Sequence, residues 1–286
     1  MKNYHEKILR KTGNNSSKRL LIVAVIDVSP STATPGDFRT QKNGKLVSVT
    51  ANKLINQHLQ LFINQLLANT KTRSSAEICF VTYSTEVHVS NFIPITRLEN
   101  NVPVFNVVRG GTRTISAIDA AYKAIDKRTA EITSCSMDGP GLYTSCLFLL
   151  TDGDSDMHDS DEYTRQITQM VNARTIAHDR TEKVLPFIVG LGSHLSDNTK
   201  KMLADLSKGF VDGCFFHIPG NNDDADTDYS ELFHFISESI VRSIPYAERD
   251  DFSEGFDCSA SMDELLADLR ERVGEVYKNM LCTVYA

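Results

Sequence analysis

Three short polar clusters in this 286-residue chain carry side chains able to do chemistry. The first is Asp27-Val28-Ser29-Pro30-Ser31. The second is Thr112, behind the pair Gly110-Gly111. The third is Asp152, after the run Cys146 to Leu150. Ser29, Ser31 and Thr112 offer hydroxyls, and Asp27 and Asp152 offer carboxylates. An all-oxygen set suits a hard cation such as Mg²⁺ or Mn²⁺, with Ca²⁺ as a further candidate. Octahedral Mg²⁺ needs about six oxygens, and five side chains giving one each leave a position for water or a partner. Taken singly, each cluster also fits an ordinary turn or helix cap, because Asp, Ser and Thr favour both.

The elements around the clusters explain why they belong together. Leu20 to Ile26 (LLIVAVI) reads as a strand buried on both faces, ended by Asp27. Residues 32–46, rich in Thr, Gly, Pro and Lys, read as a long loop. From Ser48 to Leu67 the apolar spacing is helical, with Leu54, Ile55, Leu59, Phe62, Ile63, Leu66 and Leu67 on one face. Glu77 to Tyr83 is a strand, and Ser84-Thr85 turns it tightly into Glu86 to Ile93. So short a turn forces an antiparallel pair, and the alternation of Val87 and Val89 with polar residues marks an edge strand. A helix follows over about 116–131, then a Gly/Pro/Ser loop over 133–144 and a second buried strand, Cys146 to Leu150. The rest alternates: helix 161–178, strand 184–189, helix 196–206, strand 214–218, helix 229–244.

This pattern predicts an α/β fold: a doubly wound, mainly parallel six-stranded sheet with one antiparallel edge strand and helices on both faces. Ligands of such sheets gather at the carboxyl ends of the strands. The clusters at Asp27 and Asp152 fall at such ends. Residues 1–17 read as a flexible tail and 18–244 as the domain. Residues 245–286 read as a polar linker followed by a separate amphipathic helix, with Leu265, Leu269, Val273, Val276 and Met280 on one stripe.

The order and spacing of these residues resemble a known family. Asp27-Val28-Ser29-Pro30-Ser31 matches the DxSxS signature of von Willebrand factor A domains, and the similarity runs from about Arg19 to Ile244. It takes in the Thr112 loop, the Thr151-Asp152-Gly153 turn and the strand Cys79 to Tyr83. The resemblance implies a metal-ion-dependent adhesion site that holds a divalent cation and binds an acidic residue of a partner protein. It also implies that Ser29, Ser31 and Thr112 ligate the metal directly, with Asp27 and Asp152 acting largely through waters. The Gly-Gly-Thr loop and the size look most like bacterial stand-alone members, including those associated with tellurite resistance. Such members are encoded beside kinases and phosphatases, which implies a stress-response or signalling scaffold with one of these as partner. One departure is Pro30, where most members carry Gly. Proline fixes φ and removes an amide donor, so a stiffer Ser29–Ser31 loop is expected.

Other chemistries fare worse. The net charge of -7 argues against nucleic acid as a partner, since phosphate binding needs a clustered basic surface. A metal-dependent phosphohydrolase with Asp27 as nucleophile is the alternative reading. It would want a second carboxylate at position 29 as general acid, and Ser29 cannot do that work at neutral pH. No phosphate-binding GxxxxGK[ST] loop, GxSxG elbow or HExxH pair is present. His58, His158 and His217 each lack a neighbouring nucleophile, and no enzyme activity is expected. The acidic run from Asp152 fails the EF-hand pattern, with Met157 and Tyr163 where Gly and Glu are needed. None of the six cysteines forms a CxxC pair, which fits a reducing cytoplasm. No apolar run approaches the length of a membrane span, so neither a membrane nor a signal peptide is expected.

Overall fold

A computed structural model of the protein describes residues 18–34, 38–135, 141–153, 160–193, 195–211, 214–220 and 225–249, with positions 267, 271, 283 and 284. The chain begins with β1 (Leu20–Asp27), a 3-10 turn (Pro30–Ala33), β2 (Phe38–Lys42) and β3 (Lys45–Val49). Next come α1 (Ala51–Ala68), α2 (Thr70–Ser75), β4 (Ala76–Tyr83), β5 (Val87–Val89) and β6 (Ile93–Pro94). Then follow α3 (Thr114–Cys135), β7 (Ser145–Thr151), α4 (Asp161–Thr175), β8 (Val184–Leu191) and α5 (Asp197–Leu206). Last are α6 (Lys208–Val211), β9 (Cys214–Ile218), α7 (Ala225–Arg249) and β10 (Thr283–Val284).

The main sheet runs β10-β9-β8-β7-β1-β4-β5, with β6 also on β4. Strands β9, β8, β7, β1 and β4 are parallel, and β5 and β6 are antiparallel to β4. The sheet thus has the expected parallel body and antiparallel edge. Its eight strands exceed the expected six by the two-residue strands β6 and β10. β10 pairs antiparallel with β9 and brings the far end of the chain back to the sheet.

Strand β1 is buried along its whole length because both faces of the sheet are covered. Leu20, Ile22, Ala24 and Ile26 join one core with Leu59, Phe62, Phe233 and Ile236 from α1 and α7. Leu21, Val23 and Val25 join a second core with Ile118, Tyr122, Val171 and Leu203 from α3, α4 and α5. Alternate residues therefore feed opposite layers, as the period of a strand requires.

The expected loop over 32–46 is corrected: much of it is a hairpin. β2 and β3 pair antiparallel from Phe38↔Val49 to Lys42↔Lys45. The turn is Asn43-Gly44, with φ of 53° and 71°. Both residues take the left-handed conformation, which a two-residue turn of the I′ type demands and Asn-Gly tolerates best. The hairpin also takes Ser48 and Val49, so α1 starts at Ala51, capped by the Thr50 side chain accepting from the Lys53 amide. At the other end, α7 runs through Arg249, beyond the expected boundary at 244. The expected tail over 1–17 lies outside the described residues. So does nearly all of the linker and helix beyond Arg249.

Candidate metal site

Among its longer strands the sheet reverses direction of growth at β1. From β1 the chain moves to β4 on one side, then later to β7 on the other and outward through β8 and β9. A crevice opens at the carboxyl ends of the two strands flanking such a reversal. Asp27 ends β1, and Asp152 follows Thr151 at the end of β7. The pairing of Ile26 with Leu150 puts these two ends level.

Asp27 sits at the bottom, fully buried. Its Oδ1 accepts from the Ser29 amide at 2.9 Å, and its Oδ2 accepts from the Thr151 hydroxyl at 2.9 Å. Burial pushes its carboxyl up to about 6, against the lowering effect of hydrogen bonds from Ser29 and Thr151. Above Asp27 the hydroxyls of Ser29 and Ser31 lie 2.8 Å apart, and Ser31 Oγ donates to Asp152 Oδ1 at 3.0 Å. Gly153 is wedged beside them. A Cβ built on it would stand 3.1 Å from Ser31 Oγ and 3.3 Å from Thr112 Oγ1, so both hydroxyls border one small space. Ser29, Thr112 and Asp152 are buried, while Ser31 is exposed and leaves that side open to solvent. All five predicted site residues therefore converge.

Two loops hold the cluster. Pro30 opens the 3-10 turn, where a fixed φ suits the first position and a missing N–H costs nothing. The turn is further tied by Thr32, whose hydroxyl donates to Ser29 O at 2.8 Å, and by the Thr34 amide to Ser31 O at 2.8 Å. The stiffness expected from Pro30 is thus accommodated by the fold. The Thr112 loop is pinned to the turn after β4. Gly111 N–H donates to Thr85 Oγ1 at 2.6 Å, and Arg113 N–H to Ser84 O at 3.0 Å. Gly110 has φ of 144°, and a Cβ there would lie 2.3 Å from Thr85 Oγ1. Only glycine satisfies both conditions.

The sequence did not single out Thr151 or Tyr83 as site residues. Thr151 holds Asp27 from across the sheet. Tyr83 pairs with Asp27 in the β1–β4 register, and its fully buried hydroxyl lies close enough to feel the Asp27 charge without hydrogen-bond geometry. Burial first, then the Asp27 charge, raise its pKa well above the ordinary value. The only hint in the sequence was position: each residue ends a strand beside a cluster.

The donor set fits a hard divalent cation in chemistry. It is all oxygen, and the Asp27 carboxylate sits where burial disfavours negative charge unless a cation compensates. Among the described residues no three His, Cys, Asp or Glu side chains converge on a point. The candidate histidines are engaged elsewhere: His58 with Asp226 at 2.9 Å, and His217 Nε2 with Gly192 O at 2.8 Å. His158 and the acidic positions 154–159 lie outside the described residues. Cys79 and Cys146 are buried, and burial pushes their thiols up to about 11 and about 12.

No protein-family model matches the chain, and no curated protein does. In fold, 113 chains of solved structures match. One is an aerotolerance-related membrane protein from Bacteroides fragilis, 11% identical over 78% of this chain and 99% of that one, with a TM-score of 0.43. Another is the ArnB paralog VWA2 from Sulfolobus acidocaldarius, 17% identical over 78% of this chain and 45% of that one, with a TM-score of 0.41. A third is proximal thread matrix protein 1 from the mussel byssus, whose structure has a zinc-occupied MIDAS motif. It is 12% identical over 78% of this chain and 48% of that one, with a TM-score of 0.46. The chain thus spans less than half the length of the second and third.

Proposed function

We propose that this protein is a metal-dependent protein-binding module of the von Willebrand A type and not an enzyme. The observation that carries the reading is the contact chain Ser29–Ser31–Asp152 at 2.8 and 3.0 Å, closed by Thr112 and Gly153 above a buried Asp27. Ser29, Ser31 and Thr112 would hold Mg²⁺, Mn²⁺ or Ca²⁺, with Asp27 and Asp152 supporting them. When bound, the cation supplies an electrophilic position, because hydroxyl ligands cancel none of its charge. An Asp or Glu carboxylate of a partner would gain a short charge-assisted contact there. A kinase or phosphatase in a bacterial stress response remains the partner class that the resemblance implies. The absence of a second carboxylate at position 29 supports binding over phosphoryl chemistry. No helix among the described residues is long and apolar enough to cross a membrane.

The test is thermal. A cation that binds only the native state stabilises it by about 1.4 kcal/mol at roughly tenfold excess over Kd. The melting midpoint is compared in Mg²⁺ and in chelator for wild type and for Ser29→Ala/Ser31→Ala. The wild type should respond and the variant should not. An equal response in both would remove these serines from the site. Hydrolysis of an aryl phosphate that disappears in Asp27→Ala would favour the phosphohydrolase.

A further inference from the structure

The hairpin β2–β3 is the feature least explained by the fold. It forms a two-stranded sheet of its own and pairs with no other strand among the described residues. Its base is anchored: Phe38 and Val49 are buried in the core, and the Phe38 ring meets Tyr229 of α7 edge-on at 5.6 Å. Beyond that base every residue from Gln41 to Ser48 is exposed. At roughly 3.3 Å per residue the tip stands about 13 Å from the base. A two-stranded ribbon with so little cover is marginal alone.

Its side chains are not those of an idle loop. The register sets Lys42 directly opposite Lys45, so two ammonium groups share one face beside the turn. Like charges in that position repel. Neither has a carboxylate partner among the described residues. On the same face, Val47 stands opposite Thr40 and is 40% exposed, while Leu46 on the other face is 50% exposed. The local charge is positive on a protein whose net charge is -7.

The hairpin also has a defined place. It leaves the chain shortly after the Ser29–Ser31 turn and returns directly into α1. The first turns of α1 hold the loop before Thr112, with Asn52 and Asn56 donating to Phe105 O at 3.0 Å each. That loop returns to the end of β1 through the Val108 amide, which donates to Val28 O at 2.8 Å, and it exposes Val104 and Val108. The candidate metal site, the loop and the base of the hairpin thus form one continuous rim.

We infer that the β2–β3 hairpin is a docking arm for an acidic, partly apolar polypeptide segment of the same partner that presents its carboxylate at the Ser29–Ser31–Asp152 site. The inference rests on the binding-module reading for its second half only. Acidic side chains relieve the Lys42–Lys45 repulsion, and apolar ones cover Val47 on the same face. Added charges of this kind act on partner choice and association rate as well as affinity. An anionic membrane is the poorer occupant. It calls for a larger basic cluster than Lys42 and Lys45 provide.

The test uses the full chain in Mg²⁺ and a fluorescent peptide of about ten residues alternating Glu and Val. Fluorescence anisotropy should show saturable binding. Lys42→Glu/Lys45→Glu should weaken it about tenfold or more, while its Mg²⁺-dependent rise in melting midpoint stays that of wild type. A Lys-for-Glu version of the peptide should not bind. The inference is overturned if the peptide fails to saturate, if the double variant binds it equally, or if the Lys peptide binds as well. It is also overturned if phosphatidylserine vesicles bind the wild type and not the variant, or if the variant abolishes a dimer in sedimentation. Peptide binding lost in the double variant, with no Mg²⁺ response in any protein, would sink the metal reading and leave the arm standing.

Discussion

Gly110→Ala probes how the Thr112 hydroxyl is placed, and its cost can be worked from the structure. At φ of 144° an L side chain is strained, and a Cβ would sit 2.3 Å from Thr85 Oγ1 and 3.1 Å from Thr85 N. Backbone strain of this kind costs about 1–3 kcal/mol. Thr85 must also move, which breaks its 2.6 Å bond from Gly111 N–H. That loss adds about 1 kcal/mol. The sum, roughly 2–4 kcal/mol, is best relieved by detaching the loop, because loops open more cheaply than the core. The fold should therefore survive with a small drop in melting midpoint, and the cost should appear in cation affinity. At about 1.4 kcal/mol per factor of ten, Mg²⁺ affinity should fall at least tenfold by calorimetric titration. Gly44→Ala is the control: its φ is 71°, with nothing within 4 Å of the added Cβ and no contact with the metal cluster. Wild-type Mg²⁺ affinity in Gly110→Ala, or an equal loss in Gly44→Ala, would refute the reasoning.

Three further outcomes are expected. Asp27→Asn keeps an oxygen to accept from the Ser29 amide while removing a fully buried charge, so the metal-free melting midpoint should not fall in proportion to burial and the Mg²⁺ response should vanish; a retained response would take Asp27 out of the site. Burial lowers the pKa of His58 from its ordinary 6.5 despite the raising effect of Asp226, so the unfolded chain takes up the proton first. The stability His58 contributes is then full above about pH 6.5 and is lost as pH falls below it; His58→Gln should flatten the melting midpoint between about pH 7 and 5, and an unchanged slope would assign it to other groups. A chain ending at Arg249 loses only the two-residue β10 pairing from the described sheet, so it should fold and keep its Mg²⁺ response, and an insoluble product would show that the remaining residues cover the core.

The sequence by itself determined the layered α/β fold and the five oxygen-bearing residues. Strands such as Leu20–Asp27 and Ser145–Thr151 are legible because burial on both faces writes a nearly continuous apolar run into the chain. Asp27 and Asp152 stood out because each ends such a run. The hairpin reads as a loop although Asn43-Gly44 suits its turn, because its strands carry exposed polar residues that imitate a loop. Only the tertiary structure decided which groups meet. Thr151 reaches Asp27 across 124 positions of chain, and Ser31 reaches Asp152 across 121. Periodicity reports what lies within a turn or a strand of a residue, and carries nothing about partners so far away. Those meetings follow from the register of β1 between β4 and β7, which is set by packing of whole faces. The same packing left the tip of the hairpin uncovered, because of its residues only Phe38 and Val49 at the base reach the core.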